Sequence, residues 1–382
     1  EPSALLAAAN VQRYHPPDKT LVRRAPLADM DRPTWLRAPN ARIVDASLLV
    51  GVAFVVTTGV VSLYSGRPAR AWVFLTHGVG GLVVAALVAF KLARVRYRLR
   101  GAAESAVVAL SAALAVVTVA ALTSGVAWVF GASLNFGPWG LLNLHIGLGL
   151  LVVPLLLAHL HWRFGLPSKT DFEGRRTALR YTALVVAGAA TYRLQGAANA
   201  ALETAGSERR FTGSREDGSD DGNGFPVTSW VADDPDPLDR EAWSLSVRGA
   251  VGDSLELGYG DLARDEQRAL LDCTSGWYSE HDWQGVAVGD LLDAVGPEAD
   301  AEWVSFRSVT GYRWSLPIEE ARGAMLATHV DGEELSHGHG FPLRLVAPGR
   351  RGFQWVKWVE EVRVARRRDH SERLAIFVSG FR

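Results

Sequence analysis

Residues 138–162 read PWGLLNLHIGLGLLVVPLLLAHLHW, a run without one Asp, Glu, Lys or Arg that still carries three histidines. A helix rises about 1.5 Å per residue, so about 20 apolar residues cross the ~30 Å hydrocarbon layer. Within lipid only a helix or a closed barrel satisfies its own backbone polar groups. The run therefore reads as a membrane helix. The same test, carried outward, finds further spans over residues 43–64, 71–90 and 102–130. A fifth, residues 178–202, is less apolar and holds Arg193 and Asn199 in its second half.

The 382 residues balance 40 Lys and Arg against 41 Asp and Glu, but the average joins two unlike halves. Up to about residue 205 the chain is rich in Ala, Val, Leu and Gly; beyond it, acids, Trp and Gly mix as in a water-soluble domain. A wholly soluble enzyme is excluded, and no basic stripe points to nucleic acid. The single cysteine, Cys273, excludes an internal disulfide and any Cys-rich zinc or iron–sulfur site. The predicted order is a cytoplasmic segment over 1–42, a membrane α-helical bundle of about five transmembrane helices over 43–205, a linker and entry segment over 206–240, and a soluble domain over 241–382.

Cations set the orientation. Lys91, Arg94, Arg96, Arg98 and Arg100 follow the second helix, and Arg163, Lys169, Arg175, Arg176 and Arg180 follow the fourth, whereas residues 131–140, GASLNFGPWG, have none. The cationic loops, with Arg23, Arg24, Arg32, Arg37 and Arg42 ahead of the first helix, belong in the cytoplasm. Five spans then place everything after residue 205 outside the cell membrane. Residues 173–190, EGRRTALRYTALVVAGAA, resemble an internal twin-arginine export signal, although Arg175 and Arg176 also read as ordinary positive-inside residues.

Histidine within a membrane helix is a functional hypothesis by default. His77 and His145 lie near the outer starts of the second and fourth helices, at similar depth, as the two ligands of a b-type haem would. Small residues in THGVGG (76–81) and LHIGLG (144–149) leave room for a macrocycle; interhelical hydrogen bonds are the plainer reading. His159 lies fourteen residues after His145, about 21 Å on and on nearly the same face. It offers a ligand to a second haem, yet the matching position after His77 is Lys91; His161 points elsewhere. Arg193 reaches the depth of the outer pair, where a haem propionate would suit its guanidinium, or it snorkels to the surface. Histidines on helices two and four resemble those of membrane cytochromes b of the b561 and YedZ kind.

In the second half WSLSVRGAV (243–251), SLELGYGDL (254–262), WVSFRSV (303–309), YRWSLPI (312–318), FPLRLVAP (341–348) and WVKWVEEVRV (355–364) have strand character, predicting a mixed α+β, mainly β, domain. LDCTSGWYSEHDWQGVAVGDLL (271–292), VSFRSVTGYRWSLPIEEA (304–321) and MLATHVDGEELSHGHGFPLRLVAPGRRGFQWVKWVEEVRV (325–364) resemble, in that order, the catalytic domain of the sulfite oxidase and MsrP family of mononuclear molybdenum enzymes. The resemblance runs over about residues 225–365. It implies a molybdenum–pyranopterin (molybdopterin) cofactor with Cys273 as the protein ligand, and His339, Arg344 and Lys357 at the pterin or its phosphate. The residue types agree with those roles, since a soft thiolate suits the metal, Arg grips phosphate bidentately and Lys adds a point charge. Thr228, Ser229 and Trp230 stand where relatives place Asn, His or Arg for the pterin. Taken alone, His337 and His339 would make only half a zinc site.

Sulfite oxidases follow the metal cysteine with paired arginines; here stand Thr274, Ser275, Gly276, Trp277 and Tyr278. Cys273 and Trp277, four apart, are closer to the MsrP side. An aromatic pocket from Trp277, Tyr278 and Trp283 would take a neutral S-oxide or N-oxide, with His281 and Asp282 either supplying a proton or lying in a surface turn. The expected function is a reductase of such a small molecule, drawing electrons through haem b from quinol or another respiratory redox protein. Oxidation of a small substrate toward the membrane chain, and a non-catalytic docking subunit, are the alternatives.

Overall fold

The computed structural model describes residues 41–99, 106–136, 139–163, 175–229 and 232–380. Residues 1–40 of the expected segment over 1–42, the loop cations Arg100 and Lys169, and Trp230 lie outside the described residues. Among the described residues, four helices are long and apolar enough to cross a membrane: α1 (Ala41–Ser62), α2 (Ala71–Leu99), α3 (Ala106–Val129) and α4 (Leu141–Arg163). A small hairpin of β1 (Asn135–Phe136) and β2 (Trp139–Gly140) joins the last two. α1 packs on α2 and α3 on α4, while the two pairs meet more sparsely. Their apolar side chains turn outward, with Val116 68% and Leu157 62% exposed. That suits lipid, where outward apolar groups cost nothing.

The fifth predicted span is α5 (Arg175–Ala201), which falls short of the apolarity of the other four. It runs antiparallel to α2 at close range. A Cβ on Gly78 would stand 2.5 Å from the Tyr192 ring, and one on Gly188 would stand 2.9 Å from Val83. Small residues allow this approach. Helical geometry turns the next residue about 100° away, so Arg193 is exposed on the outer side of α5. Asn199, by contrast, is buried and donates to the Val129 carbonyl (2.9 Å), tying the end of α5 to the end of α3.

Residues 206–240 do not form a free linker. Arg215–Glu216 make β3, paired in parallel with the start of β7 (Trp277–Ala287), and Phe225 is 2% exposed in the core. The remaining elements are β4 (Ser244–Gly249), β5 (Leu255–Gly258), β6 (Asp265–Asp272), α6 (Val288–Val295), β8 (Trp303–Ser308), β9 (Arg313–Pro317), α7 (Ile318–Ala321), β10 (Met325–Val330), β11 (Glu333–Glu334), β12 (Arg344–Val346), β13 (Val359–Ala365) and α8 (Glu372–Val378). One sheet runs β11-β10-β7-β3, with β12 on β10 and β6 on β7; the other runs β5-β4-β13-β8-β9. The alternation of WVSFRS buries Val304 and Phe306 and turns Ser305 and Arg307 outward. One continuous core draws on both sheets, including Leu245, Phe306, Leu326, Leu345 and Val362. Each such fully buried side chain contributes about 1.5–3 kcal/mol.

The soluble domain sits on the bundle end that carries the α1–α2 and α3–α4 connections. Tyr64 packs on Trp314 and Phe353 (ring centroids 6.1 and 5.3 Å), and Arg67 pairs with Glu320 (3.0 Å).

Candidate functional site

β6 and β7 form a hairpin whose connection is Cys273-Thr274-Ser275-Gly276. The Cys273 N–H donates to the Trp277 carbonyl (2.8 Å) and the Gly276 N–H to the Cys273 carbonyl (3.1 Å), with Gly276 at φ +98°. Cys273 is 6% exposed. The turn is held from below by Asp272, which is 2% exposed and accepts from Ser214 Oγ (2.6 Å) and Thr212 Oγ1 (2.9 Å) and pairs with Arg351 Nη1 (2.7 Å). Arg351 Nη2 also donates to the Cys273 carbonyl (3.1 Å). A buried carboxylate needs such partners. Asp272 and Arg351, which brace this turn, were missed by sequence reasoning; the one signal was an Asp placed directly before the lone cysteine.

Arg344, Lys357 and His339 converge beside this turn. Gly340, at φ +112°, makes the convergence possible, because a Cβ there would stand 3.1 Å from Lys357 Cβ and 3.2 Å from Arg344 Cβ. The Arg344 guanidinium lies among the rings of Trp283, Phe225 and Trp355 (5.6, 6.0 and 6.0 Å) and donates through Nη1 to the His339 carbonyl (2.7 Å). Burial pushes Arg344 down to about 10, and the Cys273 sulfur counters that. Its Nε is buried with no partner among the described residues. Lys357 Nζ donates to Gly338 O (2.5 Å), Ser229 Oγ (2.9 Å) and Thr228 O (3.0 Å), and Trp277 Nε1 donates to Thr228 Oγ1 (3.2 Å). Burial, then the charge of Arg344, pushes Lys357 down to about 7. A phosphate anion would relieve both cations and raise the lysine again. An orphaned buried guanidinium N–H, a desolvated ammonium beside it and a nearby thiol fit an anionic, thiol-ligated cofactor.

His339 is already occupied. Its Nε2 lies 2.9 Å from the Phe225 carbonyl, which can only accept, so that nitrogen carries the proton and Nδ1 accepts from Ser336 Oγ (2.8 Å). Burial and the charge of Arg344 push it down to about 4, keeping it neutral. It positions the 225 segment and has no free nitrogen for a pterin.

The predicted aromatic pocket does not assemble. Successive residues of β7 point to opposite faces. Trp277 and Trp283 turn inward toward Phe225, and Trp283 is wholly buried, its Nε1 donating to Ala269 O (3.1 Å). Tyr278 turns the other way, under Arg210 (5.1 Å). His281 is in no surface turn: it is 0% exposed on β7, with Nδ1 2.6 Å from Asp331 Oδ2 and Nε2 buried without a partner among the described residues. Asp282 faces outward and pairs with Arg268 (3.3 Å). A cleft of about 430 Å³ among Arg307, Arg313 and Arg363 belongs to the outward face of the five-stranded sheet, built from other elements than the cysteine turn.

In the bundle, His77 and His145 face one another, ring centroids 6.2 Å apart and planes at 90°. Two imidazoles on one metal, at about 2 Å per metal–nitrogen bond, would have centroids about 6 Å apart. His77 Nδ1 lies 3.0 Å from Val55 O and His145 Nδ1 2.8 Å from Ala121 O. Carbonyls only accept, so both Nδ1 atoms are protonated and both Nε2 atoms keep the lone pair that iron would use. Gly81 and Gly149 each lie one turn beyond a histidine, and a Cβ at either would meet nothing within 4 Å. The pair could accept a haem. His159 Nδ1 lies 3.1 Å from Ser111 Oγ, and Lys91, fourteen residues after His77, is paired with Asp45 (3.0 Å).

Comparison with known proteins bears on the soluble half. The profile of the oxidoreductase molybdopterin binding domain matches residues 232–372. The oxidoreductase YuiH of Bacillus subtilis, itself uncharacterized, is 31% identical over 144 residues, 36% of this chain and 72% of that protein. The catalytic subunit MsrP of protein-methionine-sulfoxide reductase from Xanthomonas campestris is 30% identical over 147 residues, 33% of this chain and 46% of that subunit. The candidate methionine-sulfoxide reductase subunit YedZ1 of Azospira oryzae is 28% identical over 142 residues, 36% of this chain and 54% of that protein. The chain thus spans about half the length of these two sulfoxide reductase relatives.

Proposed function

Because this chain belongs to the molybdopterin-binding oxidoreductase family, we propose that it is a membrane-embedded reductase of small S-oxides or N-oxides, fed by quinol through a haem b between His77 and His145. The observation that carries this reading is the coexistence, in one chain, of a cysteine turn flanked by buried cations and an imidazole pair whose Nε2 lone pairs are both free for iron. When bound, the molybdenum cofactor supplies oxygen-atom transfer from sulfur or nitrogen, a two-electron reduction that consumes two protons and releases water.

The chain's own residues do the rest. Cys273 offers the thiolate, and the Asp272–Arg351 pair fixes its turn. Arg344 and Lys357 neutralise the cofactor's phosphate, with Thr228 and Ser229 setting the lysine. Trp277 holds Thr228 in register. Methionine sulfoxide is the first substrate to test, since Thr274, Ser275 and Gly276 bring no cation for an anionic oxide. Reduced haem in the purified full chain, shown to contain molybdenum and iron, should reoxidise on mixing with methionine sulfoxide. Reduction of oxidised haem by sulfite instead would overturn the direction of flow.

The positive-inside distribution puts the soluble domain outside, on the bundle end away from Lys91 and Arg94. Since Cys273 is buried, a Ser254→Cys variant gives one reactive thiol at an exposed turn. A membrane-impermeant maleimide should label it in spheroplasts as fully as in lysed cells. Labelling only after lysis would reverse the topology.

A further inference from the structure

We propose that Trp128 is the electron bridge between the two redox sites, its indole coupling the His77/His145 haem to the Cys273 turn. This rests on the reductase reading above. The contact begins at His145, whose Nδ1 lies 3.3 Å from Ser124 Oγ of α3 and whose Cε1 would stand 2.9 Å from a Cβ on Gly125. Trp128 follows three and four residues later, on the same helix face and about 5 Å further out. There the indole enters the soluble domain. A Cβ on Gly276 would stand 2.5 Å from its Cζ2 and Cη2, and one on Gly213 would stand 3.1 Å from Nε1. Two glycines thus form the slot that the ring fills. Gly276 is bonded directly to Cys273 through the turn's own hydrogen bond.

Arg209 completes the seat, its guanidinium carbon 3.7 Å from the ring centroid, a cation–π contact that holds the indole in place. An ordinary interfacial tryptophan would lay its ring among lipid headgroups. This one has a face taken by Arg209 and an edge taken by glycines of the metal-ligand turn. The path runs from the imidazole to α3 at Ser124 and Gly125, along that helix to Trp128, and across the indole to the cysteine turn, all within one chain, so it needs no diffusing partner.

The electrons balance as follows. Quinol releases two electrons and two protons as it becomes quinone. A haem held by His77 and His145 would carry those electrons one at a time to a molybdenum cofactor held at Cys273, returning to its starting oxidation state after each. Two electrons and two protons convert the sulfoxide to sulfide and water. Trp128 undergoes no net oxidation, since it supplies coupling across the seam and no stored charge. Spatial intermediacy alone does not establish such a path, so the test separates coupling from support.

Full-length protein carrying Trp128→Leu or Trp128→Phe would be prereduced and mixed rapidly with methionine sulfoxide, with the haem absorption followed in time. Sulfoxide reduction driven by a soluble viologen, which feeds the molybdenum site directly, is measured beside it. Trypsin cleavage at Arg209 and Arg210, a readout independent of either cofactor, reports whether the seam stays closed. The Leu variant should slow haem reoxidation by about tenfold or more, equivalent to about 1.4 kcal/mol in an effective barrier. Viologen-driven turnover should hold, and the Phe variant should keep the seam protected with an intermediate rate. Unchanged haem reoxidation in the Leu variant overturns the bridge, as does an equal fall of both routes in both variants, which would make Trp128 a support for the turn. If the unsubstituted protein's haem does not reoxidise at all, the reductase reading fails and the bridge with it.

Discussion

Cys273→Ser is expected to abolish sulfoxide reduction, by at least about a thousandfold or about 4 kcal/mol of transition-state stabilisation, while leaving the haem absorption unchanged. The substitution is nearly isosteric. The backbone contacts that shape the turn, to Trp277, Gly276 and Arg351, involve no side-chain atom of residue 273, so the fold should persist. What is lost is the soft ligand: a serine hydroxyl is harder and far more reluctant to ionise than a thiol, even beside Arg344, Arg351 and Lys357. The His77/His145 pair lies in the bundle and shares no atom with the turn. Molybdenum quantification and a reduced optical spectrum of the same sample check both halves of the expectation. Full turnover would sink the assignment of Cys273 to the metal.

His77→Ala and His145→Ala should each remove nearly all of the reduced b-type absorption. Each imidazole is aimed by a backbone carbonyl of a neighbouring helix, Val55 for His77 and Ala121 for His145. His159 cannot substitute, since it lies about 21 Å along α4. Loss of a haem that binds only the folded bundle should also lower thermal stability, by about 2.7 kcal/mol for a ligand present at a hundred times its Kd. Spectra of purified variants, with melting curves taken with and without added haem, provide the check. Retention of full haem content in both variants would move the ligands elsewhere, with His159 the next residue to test.

Much of this protein was legible from residue order alone, for identifiable reasons. Apolar runs long enough to cross lipid leave few other structures open to a backbone, so α1 to α4 could be read from composition. Alternating or short apolar runs between turn signals located β4, β8, β9 and β13, with strict alternation in β4 and β8, where one face is buried. The ordered motifs around Cys273, Arg344 and Lys357 named the family, and histidines at equal depth on two helices marked the imidazole pair. The β6–β7 hairpin was harder to see: WYSEHDWQGVA mixes charge with aromatics, and only its alternation in the sheet shows that His281 goes inward and Tyr278 outward. Residues 206–240 look like a linker by composition. Their order comes from a distant partner, Asp272, whose carboxylate needs Thr212 and Ser214, and from Phe225 filling the core beside His339.

What the sequence by itself determined are properties set by neighbours along the chain: which segments prefer lipid, which strands have one wet face, which residue types can bind metal or phosphate. What only the tertiary structure decided are properties set by contacts between distant segments. Those include the rotation that exposes Arg193 and presses Tyr192 on Gly78, the commitment of both His339 nitrogens to the fold, and the seating of Trp128 between Gly213 and Gly276. Each depends on where a side chain points once helices and sheets have packed. Such directions are fixed by close packing across the fold, and no local pattern in the chain encodes them.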